Sequence, residues 1–159
     1  MKRQHPTSNT QRSSKRQASK SLKYPEISSA CWVLEERSDA QHNGRHAFDL
    51  EERTAKFGEG IVRFSKKIPR HPTNDRLIDQ LVGCGSSVGA NYREANESFS
   101  KKDFRFSIGR CVKEAKETKY FLRLVAASET QLVDEARALY RECHELHMIF
   151  ASIFRKGLQ

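Results

Sequence analysis

The sequence predicts an all-α protein: an antiparallel up-down-up-down four-helix bundle that follows a disordered, basic N-terminal arm. Three observations support this prediction. Apolar residues recur at helical spacing almost continuously after Phe48, proline is scarce at 4 in 159 residues, and no segment has the alternating pattern of a strand. The connections between helical segments are short, which places neighbouring helices antiparallel. We expect residues 48–157 to form the bundle and residues 1–47 to form the arm and a linker.

The N-terminal arm is rich in basic residues and contains no acidic residue before Pro25. It buries too little apolar surface to offset the entropy of ordering, so we predict disorder. An organellar transit peptide or an over-extended gene start would have a similar composition. The net charge of +9 favours a polyanionic partner about as much as a solvated basic surface. Because no apolar run is long enough to span a bilayer and Cys-x-x-Cys pairs are absent, we expect a cytoplasmic protein without membrane contact.

The first helix is predicted from about Leu50 to Ile68, with Asp49 as its N-cap and the prolines after residue 68 ending it. The second is predicted from about Asn74 to Ser98, with Thr73 or Asn74 as its cap. Their apolar stripes are Leu50, Phe57, Ile61, Phe64 and Ile68 in the first helix and Leu77, Ile78, Leu81, Val82, Val88, Tyr92 and Ala95 in the second.

The third helix begins at Ser100, which forms a capping-box pattern with Asp103, and the fourth runs from about Leu132 to Arg155. In both, apolar residues alternate in steps of four and three, which is a heptad seam. The seams are Phe104, Ile108, Cys111, Ala115, Thr118, Leu122 and Val125, then Leu132, Ala136, Leu139, Cys143, Leu146, Phe150 and Ile153. Cysteines on apolar stripes, including Cys84 of the second helix, are expected to pack as small hydrophobic residues.

Three glycines, Gly83, Gly85 and Gly89, lie inside the second predicted helix. Their spacing does not fit a phosphate-binding loop. Each costs about 1 kcal/mol relative to alanine in a helix, so a packing gain must offset them. Gly85 and Gly89 are four residues apart and form a strip that another backbone can approach. We predict that Gly89 lies opposite Gly109, where the second and third helices come unusually close.

The segments "SSVGANYREANESFSKKDF" and "KEAKETKYFL" resemble the bacterial four-helix-bundle family of 23S-rRNA intervening-sequence proteins. That family includes the accessory variability determinant of diversity-generating retroelements. The segment "FDLEERTAKF" is similar to the family's opening, and the resemblance extends from about residue 48 to residue 156. The matching positions are Gly89, Ala90, Asn91, Glu94, Ala95, Ser100, Asp103, Phe104, Lys113, Glu114, Ala115, Glu117 and Thr118.

The resemblance implies a homo-oligomer, pentameric where known, that has no catalytic activity and no cofactor. Its implied partners are RNA or DNA and, in the retroelement branch, a reverse transcriptase; the sequence does not choose between the branches. The polar part of the matching positions is Asn91, Glu94, Lys113, Glu114 and Glu117. We interpret these residues as a buried or interfacial hydrogen-bond network that fixes the register between helices.

Two groups of basic residues are candidates for nucleic-acid binding, because Lys and Arg bind phosphates. They are Arg63, Lys66, Lys67 and Arg70 near the end of the first helix, and Arg105, Lys113, Lys116 and Arg123 on the third. The first group, together with the arm, is the stronger candidate, although Lys and Arg near a helix C-terminus also suit the helix dipole. Ion pairing within the helix, such as Lys113 with Glu117, would make the second group plain surface.

A second apolar row indicates contacts between protomers, because a monomer would expose it. Its predicted members are Phe106 and Tyr120 on the third helix and Tyr140 and Phe154 on the fourth.

One cluster has metal-ligand chemistry: His144 and His147, beside Cys143 and Glu145. A single helix seldom supplies a complete ligand set. We therefore expect no metal and no catalytic residue, and a metal-dependent enzyme is the remote alternative.

Overall fold

The computed structural model describes residues 50–156, which form four helices joined by short connections. The helices are α1 (Leu50–Ser65), α2 (Pro72–Asn96), α3 (Lys101–Ser128) and α4 (Val133–Lys156), with a 3₁₀ turn at Thr130–Leu132 before α4. Each helix packs on the next, and the contact of α1 with α4 closes the ring. The predicted four-helix bundle is confirmed. The basic arm, the domain boundary at residue 48 and the Asp49 cap lie outside the described residues.

The predicted heptad seams form the centre of the bundle. In α3, Ile108, Cys111, Ala115, Thr118, Leu122 and Val125 are all buried, and Phe104 is half-buried. Burial raises the pKa of the Cys111 and Cys143 thiols to about 12, and both thiols donate hydrogen bonds to backbone carbonyls of a neighbouring helix. The cysteines therefore behave as small interior residues, as predicted. None of the helices in residues 50–156 has a stretch both long and apolar enough to span a bilayer.

The helix caps differ from prediction at one of the two places where the structure tests them. At α3, Ser100 accepts a hydrogen bond from the Asp103 amide at 3.1 Å and donates to its carboxylate at 2.6 Å, so the cap is confirmed. At α2 the predicted cap is wrong: the N-cap is His71, whose Nδ1 accepts from the Asn74 amide. Pro72 explains the earlier start, because the first helical residue needs no amide hydrogen.

Asn74 instead joins two connections at one end of the bundle. It is fully buried, and its amide nitrogen donates to the Pro69 carbonyl at 2.9 Å and to the Glu129 carboxylate at 2.6 Å. Ser128 donates to the Asn74 amide oxygen, and Gln131 donates to Glu129. These hydrogen bonds lower the pKa of Glu129. Every polar atom of the Asn74 amide thus has a partner, which links the α1–α2 and α3–α4 connections without an unsatisfied group.

The close approach predicted at Gly89 exists, but its partner is α1. A Cβ at Gly89 would lie 3.3 Å from the backbone oxygen of Thr54, and one at Gly85 would lie 2.9 Å from the Ile61 side chain. A Cβ at Gly109 would meet the ring of Phe154 in α4, at 3.1 Å. The predicted pairing of Gly89 with Gly109 is therefore wrong, because the two residues face different neighbouring helices.

Candidate nucleic-acid interface

The basic cluster at the end of α1 is largely neutralised by carboxylates. Arg63 pairs with Glu59 at 3.1 Å, Lys67 with Glu135 of α4 at 2.6 Å, and Arg70 with Asp75 of α2 at 2.6 Å. Lys66, the fourth predicted member, is exposed. Cations already paired with carboxylates gain less from a phosphate, so this cluster offers little net charge to a polyanion.

A second basic surface lies on the outer side of the α3–α4 contact, and we call it the α3/α4 face. Helical spacing places Arg105, Lys116, Lys119 and Arg123 on this side of α3, opposite His144, His147 and Phe154 of α4. In the described chain, Lys116 and Lys119 form no ion pair with a carboxylate. Of the predicted residues, Arg105, Lys116 and Arg123 belong to this face. The three residues that the sequence analysis did not assign to it are Lys119, His144 and His147.

Lys119 lies between two histidines of α4. Its Nζ is 3.5 Å from His144 Nδ1 and 3.4 Å from His147 Nδ1. Desolvation and then the neighbouring Lys116 lower the pKa of Lys119. Desolvation, followed by Lys119, Lys116 and His144, lowers the pKa of His147 to about 4. Cys143 acts on Lys119 in the opposite direction and raises its pKa. The cations Lys116 and Lys119 add to the effect of desolvation on His147, and no carboxylate is among the causes of either shift.

The far end of the face combines a guanidinium with an aromatic ring. The Arg105 guanidinium carbon lies 4.8 Å from the centre of the Phe154 ring, a cation–π contact. Arg105 Nε is buried and has no hydrogen-bond partner in the described chain. Phe154 also covers Gly109, so part of this predicted interface ring is already buried within the protomer.

Lys113 lies on the outermost side of α3, between Phe106 and Tyr120, and is outside the α3/α4 face. Its ammonium is 3.7 Å from Glu117, one helical turn along. Phe106 and Tyr120 are 67% and 57% exposed, whereas Tyr140 and Phe154 are half-buried. The outer side of α3 thus presents two aromatic side chains around one ion pair, an arrangement that suits contact with another macromolecule.

The polar residues matching the family make local contacts within one protomer. Asn91 is buried and donates to the Ser87 carbonyl at 2.8 Å, and Glu94 pairs with Arg110 across α2 and α3 at 3.1 Å. Desolvation, with the nearby Glu117, raises the pKa of Glu114. In the described chain, Asn91 and Glu94 of α2 thus bond to Ser87 and Arg110, which are not among the family-matching residues of α3.

The residues of the metal-like cluster point to different partners. Glu145 pairs with Arg53 of α1, and the Cys143 thiol donates to the Ala115 carbonyl. His144 and His147 face Lys119 instead. Within residues 50–156, no three metal-ligating side chains lie together.

An open groove of about 450 Å³ runs along the outside of α1 and α2, and we call it the α1/α2 groove. Its floor consists of small residues, because the glycines of α2 let the two helices approach. Its lining is Glu51, Thr54, Ala55, Gly58, Glu59, Val62, Arg63, Ser86, Gly89, Ala90 and Arg93. On its rim, Arg93 pairs with Glu51 at 3.1 Å, which leaves the groove near neutrality.

The sequence model of one protein family, described as "23S rRNA-intervening sequence protein", matches residues 47–152. Among solved structures, the chain is similar to a protein of unknown function from the S23 ribosomal protein family of Bacteroides thetaiotaomicron, solved at 1.70 Å. That similarity has a TM-score of 0.60 and 26% identity, and it covers 66% of this chain and 97% of the other. No curated protein matches at a significant level.

Proposed function

The chain belongs to the 23S rRNA-intervening sequence protein family, and we propose that it acts without catalysis, as an oligomer that associates with nucleic acid, RNA in the first instance, through its α3/α4 face. One observation carries the proposal: two lysines of this face, Lys116 and Lys119, are not neutralised in the described chain. Lys116 and Lys119 have no carboxylate within ion-pair distance in the described chain, and the groups that lower the pKa of His147 include two ammonium groups. The family's name, which links it to inserts in rRNA genes, favours RNA.

The physical basis of the proposal is the release of counterions from phosphates. A Lys or Arg that contacts a phosphate releases condensed cations, so unpaired side chains contribute most to affinity. The exposed Phe106 and Tyr120 add planar surfaces on which unpaired bases can stack, worth about 1–3 kcal/mol for each base. A single-stranded RNA is therefore the partner that this chemistry fits best.

Exposed apolar side chains support the oligomeric part of the proposal. Phe106, Tyr120 and Met148 are each about half or more exposed, although they are large and apolar. A second copy would cover part of this surface. Light scattering at two protein concentrations, with and without RNA, measures the assembly independently of binding.

Fluorescence anisotropy with a labelled single-stranded RNA tests the binding. We expect Lys116→Gln with Lys119→Gln to weaken binding about tenfold and to reduce the salt dependence by about two phosphate contacts. The matched control, Arg63→Gln with Lys67→Gln, removes the same charge from the neutralised α1 cluster and is expected to change affinity by less than about twofold. Circular dichroism checks the fold of both variants. Equal losses in the two variants, or binding that is flat in salt, would contradict the proposal.

A protein-interaction subunit, with a reverse transcriptase as its partner, is the second candidate, and the α1/α2 groove favours it. The groove is apolar on its floor and near neutral on its rim, which suits a helix or loop of another protein. Ala90 lines the groove and is exposed, so Ala90→Trp fills it without entering the core. Loss of reverse-transcriptase capture in this variant, with RNA binding retained, would favour this candidate over the first.

A further inference from the structure

We propose that Lys119, His144 and His147 form a proton-coupled oxyanion site, which binds a phosphate group and takes up protons from solvent as it does so. The inference rests on the proposed function to the extent that the phosphate belongs to a nucleic acid. A free phosphate has the same chemistry, and the experiments below separate the two sources.

We assign the hydrogen of each ring from its contact with Lys119. An ammonium can only donate, so the Nδ1 atoms of His144 and His147, 3.5 and 3.4 Å from Lys119 Nζ, are acceptors. In the neutral imidazoles the hydrogen is then on Nε2. His147 Nε2 is buried and has no hydrogen-bond partner in the described chain. It is therefore a donor without an acceptor, a costly state that an incoming oxyanion would relieve.

The electrostatic surroundings suit an anion. From α3, Lys116 and Lys119 act on His147, and from α4, His144 does so. Cys143 also lies near Lys119, and its thiol is held by the Ala115 carbonyl. No carboxylate is among the groups that change the pKa of His147 or of Lys119. An oxyanion here would meet two ammonium groups and an imidazole N–H with no like charge to oppose it.

Binding an anion reverses the forces that keep the His147 imidazole neutral. When a phosphate oxygen accepts hydrogen bonds from Lys119, the ammonium is withdrawn from the Nδ1 atoms of His144 and His147. The added negative charge favours the protonated form of His147. His147 Nδ1 then takes a proton from solvent and becomes a second donor. Because the bound state holds more protons than the free state, affinity must rise as the pH falls.

RNA binding as a function of pH tests the coupling in the full chain. Between pH of about 7.5 and about 5.5, we expect affinity to rise about fourfold, because His147 gains a proton in the bound state. The double variant His144→Gln with His147→Gln is expected to lose this rise. His71→Asn is the matched control, since it removes a histidine at the end of the bundle and keeps an N-cap residue. An equal rise in the double variant would overturn the oxyanion site and leave nucleic-acid binding intact.

NMR titration of the histidines with inorganic phosphate is the second arm, and it needs no RNA. We expect phosphate to raise the titration midpoint of His147, about 4 in the free protein, by about two units, and Lys119→Met to abolish this shift. A midpoint unmoved by phosphate would overturn the site. If His147 responds to phosphate and no RNA binds at any pH, the site takes free phosphate and the proposed nucleic-acid function fails.

Discussion

The two halves of the bundle differ both in how their helices meet and in how their charges are balanced. Between α1 and α2, glycines bring backbone against backbone, and the cations nearby have carboxylate partners. Between α3 and α4, a glycine meets an aromatic ring, and Lys119 faces histidines instead of carboxylates. The α1–α2 half is therefore packed more tightly and its cations are paired. In the α3–α4 half, Lys119 has no carboxylate partner and can bind a ligand.

Of the changes that test this difference between the two halves, the largest loss of stability is expected from a substitution at Gly89. A Leu side chain there would meet the Thr54 backbone, which cannot move aside, so we expect Gly89→Leu to lower the free energy of unfolding by about 3 kcal/mol or more. Gly83→Leu is the matched control on the same helix. No atom lies within 4 Å of a Cβ at Gly83, so helix propensity alone should raise stability by about 0.5–1 kcal/mol.

Gly109→Ala extends the test to the other half. The Phe154 ring can rotate away from the new methyl group, so we expect a change of less than about 1 kcal/mol. Urea unfolding followed by circular dichroism measures all three variants. Similar losses at Gly83 and Gly89 would show that the contrast in packing is wrong.

Removing the carboxylates that pair with the α1 cations tests whether charge pairing distinguishes the two halves. In the triple variant Glu59→Gln, Asp75→Asn and Glu135→Gln, Arg63, Lys67 and Arg70 lose their carboxylates. We expect RNA affinity to rise about tenfold with a steeper salt dependence, because the α1 cluster then resembles the α3/α4 face. Anisotropy titrations at two salt concentrations measure the change.

A second variant controls for net charge alone. Asp79→Asn with Glu97→Gln removes two exposed carboxylates that pair with no cation in the described chain. For each carboxylate removed, the effect on affinity is expected to be smaller than in the triple variant. If the gain for each carboxylate is equal in the two variants, local pairing does not decide where the polyanion binds.

The smallest effect is a pH dependence of stability that arises in the α3/α4 half. The pKa of His147 is depressed from 6.5 to about 4, so as the pH falls below 6.5 the unfolded chain gains a proton that the folded chain does not. Stability is therefore lost between pH 6.5 and about 4. The raised pKa of Glu114 acts in the opposite direction, and the lowered pKa of Glu129 costs stability only at more acidic pH.

Thermal melts across this range give the measurement. We expect the melting temperature of the wild type to fall by a few degrees between pH 6.5 and pH 5, and that of His147→Gln to fall less. If the melting temperatures of the two proteins fall equally with pH, the depressed pKa of His147 does not contribute to the pH dependence of stability.

The fold was predictable because helical periodicity is a local property. The seam of α3, from Ile108 to Val125, is buried as its steps of four and three predicted. The Ser100 cap was equally local, since its partner Asp103 is three residues away. The α2 cap was missed although Pro72 signals a first helical residue, because Asn74 looked like the stronger cap and is used elsewhere.

The candidate site was only partly predictable. Arg105, Lys116 and Arg123 follow from helical spacing within α3, whereas Lys119 belongs to the site through His144 and His147, which are 25 and 28 residues away. The sequence also could not reveal that Glu135 neutralises Lys67, 68 residues earlier in the chain. The sequence therefore favoured the α1 cluster over the basic residues of α3.

The sequence by itself determined the four helices, their seams and the presence of small residues at Gly85 and Gly89, because each depends on spacing along one helix. Only the tertiary structure decided which helix those glycines face, which cations find carboxylates, and which histidines meet a lysine. The reason is physical: a repeat of about 3.6 residues fixes the side of a helix on which a residue lies, but not the neighbour packed against that side. That neighbour is set by how the helices pack in three dimensions. In this protein the packing places carboxylates beside the basic cluster of α1 and histidines beside Lys119 of α3.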